Sequence, residues 1–201
     1  MRPAGKDKMA GRERAWRGGL ARLLIGCAWV AICFSATLVA QPAETTLTER
    51  QVKALCIMNF ARYTQWPQWT FADTNAAISI GIVGQDALRE DLRRAVARKT
   101  INGRPVIVRS LEPGGESDDC QILFISASES KHIPDIIERV RNKPVLTIGE
   151  TDSFLKEGGA INFALRNGKV RFDVNLDAVR SGGLQLSSKV LVLADEVLGN
   201  R

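Results

Sequence analysis

The sequence predicts a single α/β domain, in which a mainly parallel sheet flanked by helices ends in an antiparallel hairpin and follows a signal peptide. Three observations carry that reading. Strand and helix patterns alternate between residues 77 and 148, as they do in sheets built from crossover units. Asn167-Gly168 sits between two alternating runs, the strongest short-range hairpin signal. Residues 1–18 are basic, and Gly19–Ala40 is small and apolar, broken only by Arg22, which is the layout of a secretory leader.

The leader ends at Leu38-Val39-Ala40, a small-residue exit before the polar Gln41-Pro42-Ala43. A retained anchor is the rival reading, because the apolar stretch approaches the length needed to span a bilayer. Residues 1–40 are thus assigned to the leader and 41–201 to the domain. The charge follows the same division. Of 28 Lys+Arg and 22 Asp+Glu, the first forty residues hold seven and two, leaving 21 and 20 for the rest. The domain is nearly neutral, so the formal +6 of the whole chain gives no reason to expect a nucleic-acid partner. Export to the periplasm places the domain in an oxidising space. Cys27 and Cys33 leave with the leader, and Cys56 and Cys120 remain. They suffice for one disulfide and are too few for a zinc cage; two buried free thiols are the alternative.

Thr46-Leu47-Thr48-Glu49 has capping-box spacing, so a helix is expected from there to Tyr63. Its apolar residues cover most of its circumference, which predicts burial on more than one side. Trp66-Pro67 ends it. Ala77–Val83 reads as a strand ending at Gly84, and Asp86–Lys99 as an amphipathic helix. Strands are expected at Pro105–Leu111, Cys120–Ile125 and Pro144–Ile148. A Gly-rich acidic loop, Glu112–Asp119, precedes the second of these. A helix over Ser130–Arg141 carries Pro134 in its first turn. The hairpin joins Gly159–Leu165 to Lys169–Val174. A short helix at Leu176–Arg180 and a last apolar helix, Lys189–Leu198, complete the chain.

The residues offer no catalytic, metal or cofactor site. His132 is the single histidine, with no cluster around it to bind metal or move protons. Ser128-Glu129-Ser130-Lys131 matches the S-x-x-K pattern, but the S-D-N and K-T-G partners are missing and a polar helix entry explains it. Gly81-Ile82-Val83-Gly84 lacks the third glycine of a dinucleotide fingerprint. What stands out is aromatic. Tyr63, Trp66, Trp69 and Phe71 fall within nine positions, either plugging one end of the core or forming a docking surface.

Taken together, these segments resemble the YfiR family of exported proteins (the DUF4154 type). The likeness begins with Val52-Lys53-Ala54 through Asn59-Phe60-Ala61-Arg62-Tyr63 into Trp66-Pro67. It continues through Gly103-Arg104-Pro105, Cys120–Ile125, Pro144–Gly149 and Gly158–Phe163. Most specific are Val170-Arg171-Phe172-Asp173-Val174-Asn175-Leu176-Asp177-Ala178 and Leu184–Leu191. The resemblance implies an α/β, dimeric, non-catalytic periplasmic regulator. It would bind the periplasmic domain of an inner-membrane diguanylate cyclase and hold it off, until an outer-membrane lipoprotein partner releases it and cyclic di-GMP and biofilm formation rise. Tyr63, Trp66 and Pro67, with Arg171, Phe172, Asn175 and Leu176, are the signature residues and candidates for partner contact; the apolar C-terminal helix is a further candidate. Well-studied members bond a cysteine of the first strand to the one matching Cys120, whereas Ala77–Val83 has none here. A small-ligand module is the competing function, because open α/β sheets bind ligands beyond the C-terminal ends of their strands, near Gly84, Glu112–Asp119 and Gly149.

Overall fold

Thr48 opens the first helix, α1 (Glu49–Tyr63), through a reciprocal capping box with Gln51. The Thr48 hydroxyl accepts from the Gln51 amide at 3.3 Å, and the Gln51 side chain accepts from the Thr48 amide at 2.8 Å. The box therefore lies two residues beyond the expected Thr46–Glu49 pair, since Gln serves at its fourth position as well as Glu. The structure is a computed structural model that describes residues 46–115 and 119–199. The leader and part of the acidic loop, residues 116–118, lie outside the described residues.

After α1 come β1 (Thr64–Gln65), β2 (Ile78–Val83), α2 (Leu88–Val96), β3 (Thr100–Ile101), β4 (Arg104–Leu111) and β5 (Ile122–Ile125). Next are α3 (Ile133–Val140), β6 (Leu146–Gly149), β7 (Ile161–Arg166), β8 (Lys169–Asn175) and α4 (Leu176–Ser181). The chain then forms β9 (Gln185–Leu186), α5 (Ser188–Leu191) and β10 (Glu196–Leu198). Eight strands make one sheet in the order β10-β8-β7-β6-β5-β2-β4-β3. Only the β7–β8 and β3–β4 pairs are antiparallel in it. The small β1–β9 pair stands apart. The expected fold class holds.

Both faces of the sheet are covered, so its central strands are buried throughout, β2 and β5 along their whole length. Ile78, Ile80, Ile82, Ile122 and Phe124 meet α1 and α2 on one face, while Val83, Leu123 and Ile125 meet α3 on the other. Asn167 and Gly168 both take positive φ, +52° and +70°, the conformation of a type I′ hairpin turn. Gly149 and Gly159 lie against opposite sides of the Phe154 ring, and a Cβ at either would enter it. These glycines are demanded by packing.

One element differs in kind from expectation. The predicted terminal helix Lys189–Leu198 is a four-residue helix, α5, followed by turns and the strand β10. The Asp195 amide donates to the Phe172 carbonyl at 3.0 Å, and Glu196–Leu198 then pair in parallel with Asp173–Asn175. The apolar spacing fits a helix, but the edge of β8 captures Glu196–Leu198 as a strand. Of the apolar residues in Lys189–Leu198, only Val190 is fully buried.

Candidate functional site

α1 buries Ala54, Ile57, Met58, Phe60 and Ala61, and carries a second, half-buried stripe beside them. Val52, Cys56, Asn59 and Tyr63 recur at helical spacing along that stripe. Beside them runs the face of the β7–β8 hairpin that carries Leu165, Val170 and Phe172, with Val190 and Leu193 at the far end. Two cavities mark the seam between helix and hairpin. One, of about 400 Å³, is lined by Leu47, Val52, Leu165 and Val170. The other, of about 260 Å³, is lined by Cys56, Asn59, Tyr63, Phe172, Val190 and Leu193. Leu165, Leu193 and the adjoining Val192 are 60%, 68% and 83% exposed. Exposed apolar side chains gathered along one groove are what a docking site presents.

The seam's charges are basic at its two ends. Lys169 borders the first cavity and Lys189 the second. The Lys189 ammonium lies 5.5 Å from the centre of the Tyr63 ring, and the Tyr63 carbonyl accepts from the Ser187 amide at 2.9 Å. These contacts hold α5 against the end of α1. On the opposite face of the hairpin, Arg166 grips the buried Asp173 with both nitrogens, at 2.6 and 3.0 Å. It also donates to Asp195 at 2.9 Å, which ties β10 to the hairpin. Two carboxylates hold its guanidinium charged, with Asp173 the stronger.

The signature residues divide between this seam and the core. Tyr63 lines the seam, and Phe172 forms its floor, packed edge-on against Phe60 at 4.9 Å between centroids. Arg171 is exposed on the opposite face, 3.9 Å from Asp195. Asn175 caps α4, its side-chain oxygen accepting from the Asp177 and Ala178 amides at 3.1 Å each. Its amide nitrogen also donates to the Leu155 carbonyl at 3.3 Å. Leu176 is buried. Trp66 turns away from the seam; its indole donates to the Gln121 carbonyl at 3.3 Å, and its ring meets Phe71 edge-on. Pro67 lies beside Gly183. The aromatic group in the sequence is thus split, with Tyr63 in the seam and Trp66 and Phe71 closing the core. Leu165, which sequence reading missed, completes the seam together with Val192 and Leu193 of the C-terminal segment already named as a candidate for partner contact.

At the C-terminal ends of β2 and β6, side chains pack around the turns that follow. Gly84 lies against the side chains of Ser128 and Glu129, and Glu129 pairs with His132 at 3.0 Å. Nearby, Lys53 reaches Glu150 at 2.8 Å, and Glu150 also accepts from the Ala127 amide. A cleft of about 440 Å³ opens instead toward the N-terminal ends of β2, β5 and β6, lined by Trp69, Phe71, Ala77, Cys120, Lys143 and Pro144. Cys56 and Cys120 are free thiols, so no bridge joins α1 to the start of β5. Burial raises both above the usual thiol range, which keeps them protonated and unreactive near neutrality.

The profile of the YfiR/HmsC-like family (DUF4154) matches residues 50–195. The chain belongs to the YfiR/HmsC-like family. The matched span contains all of α1 but its first residue, the whole hairpin and α5, and hence most of the seam. This is a family of regulatory domains that act in the periplasm in cyclic di-GMP signalling with a membrane signalling protein. A crystal structure of a conserved domain protein from Vibrio cholerae O1 biovar El Tor str. N16961 is similar in fold, with a TM-score of 0.52 and 12% identity. The similarity covers 75% of this chain and 60% of that one, so the YfiR/HmsC-like chain spans less than two thirds of that protein. Among the described residues, no helix is long and apolar enough to cross a membrane, and no group of His, Cys, Asp and Glu could hold a metal ion.

Proposed function

We infer that this chain is an exported regulator that binds the periplasmic domain of an inner-membrane diguanylate cyclase and represses it, with the α1–hairpin seam as the docking face. One observation carries the reading. The half-buried Val52, Cys56 and Tyr63 of α1 line a seam in which Leu165 and Leu193 stand open. A binding protein of this kind shifts its target's equilibrium by the difference in its affinity for the target's two states. Release by an outer-membrane lipoprotein and assembly as a homodimer belong to the same proposal.

Capture from detergent-solubilised membranes on the immobilised chain tests it. The expected result is recovery of a membrane protein carrying a cyclase domain, lost with Leu193→Glu. A folded bait that recovers no membrane signalling protein would overturn it.

A second reading, a small-ligand module, is supported by the cleft of about 440 Å³ beside Trp69. A ligand that raises the melting temperature of the chain, and does so less with Trp69→Ala, would favour it.

A further inference from the structure

The seam has a definite length, floor and rim, and these select the kind of element that fits it. α1 has 15 residues, so at ~1.5 Å per residue the groove beside it runs about 22 Å. One wall is the side of a helix whose backbone bonds are internal. The other is the face of a hairpin whose strands pair with each other from Ile161–Val174 to Arg166–Lys169. Neither wall offers a row of free N–H and C=O groups along the groove. An extended segment laid there would bury its own backbone groups without partners, which is costly at every unpaired group. An α-helix satisfies them internally and presents only side chains.

The rim adds a charge requirement. Lys169 and Lys189 stand at opposite ends, and neither forms an ion pair with a carboxylate among the described residues. The seam's one acid, Glu49, is taken by Lys53 at 2.6 Å. Resting on the docking function inferred above, we propose that the seam receives an amphipathic α-helix of about four turns from the partner, with apolar residues at i, i+3, i+4 and i+7 and acidic residues toward both ends.

The test uses the full chain in its own host, with a photoreactive side chain placed at Leu165 in one strain and at Leu193 in another. The cross-linked peptides are then sequenced. The expected result is one partner segment with helical apolar period, joined near one end by Leu165 and near the other by Leu193. A cross-linked segment without that period, or one belonging to a second copy of this chain, overturns the proposal. If the wild-type chain captures a membrane signalling protein but neither position cross-links to it, the helix assignment fails while the regulatory function stands. If no such protein is captured, both fail. With partner in hand, Lys169→Glu combined with Lys189→Glu is expected to weaken binding about tenfold and flatten its salt dependence. Unchanged affinity and salt dependence in that folded variant overturn the acidic character of the helix.

Discussion

The Ser79 hydroxyl of β2 lies 3.6 Å from the sulfur of Cys120, which sits just before the adjacent strand β5. The likeness to well-studied relatives implies a cysteine on the first strand bonded to Cys120. The structure puts a serine there, in hydrogen-bonding contact with the thiol. The Ser79 amide also donates to the Gln121 side chain at 2.8 Å, so the local pairing stands without the covalent bond.

Ser79→Cys is therefore expected to form a 79–120 disulfide under oxidising conditions and to stabilise the domain by about 2–4 kcal/mol. Peptide mapping without reductant detects the bridge, and urea unfolding with and without reductant gives its contribution. Absence of a bridged peptide would show that the two positions do not meet in solution.

Removing Arg166 leaves the buried Asp173 carboxylate without its two-pronged partner and frees Asp195. Arg166 is itself 41% exposed, so solvent screening reduces the loss below that of a fully buried pair. Arg166→Ala is expected to cost about 1–3 kcal/mol and to speed amide exchange along Glu196–Leu198. Unchanged exchange in β10 would mean that the pairing with β8 holds the C-terminus alone.

Asn175→Ala is expected to cost about 1–2 kcal/mol, through the lost cap of α4 and the lost bond to the Leu155 carbonyl. Asn175→Asp should keep the cap and lose only the donor. Partner affinity of the folded Asn175→Ala variant should match wild type. A selective loss of binding without loss of stability would reassign this residue to the interface.

The hydrogen bond from Arg94, reinforced by Arg50, holds the Asp91 carboxyl below the usual carboxylate range, against the opposing effect of burial. Its folded pKa is depressed, so its stabilisation is present above the unfolded value of about 3.9. That stabilisation fades as pH falls from there through the folded value. Urea midpoints followed from about pH 5 to pH 3 should fall more steeply for wild type than for Asp91→Asn. Parallel curves would remove Asp91 from the acid response.

Much of the fold was legible because local signals agreed with tertiary context. Asn167-Gly168 demanded positive φ and received it, and the alternation from Ile78 to Gly149 gave the parallel core. The C-terminus was not legible, because Val190 to Leu198 satisfy a helical period while the decisive competitor is the open edge of β8. The candidate site was only half legible. Tyr63 and Phe172 carried a signature and Leu193 lay in the apolar C-terminal segment, whereas Leu165 became significant once folding set it beside the second stripe of α1. Asn175 and Leu176 carried the same signature for reasons of capping and packing.

The central claim is repression through the seam, and cyclic di-GMP in the native host tests it most directly. Deleting the gene should raise the nucleotide, and restoring the wild-type chain should lower it again. Leu193→Glu, on the seam, should fail to restore repression, while Ile107→Glu, at an exposed apolar position on β4 away from the seam, should restore it in full. Full repression by a stably expressed Leu193→Glu chain would contradict the account.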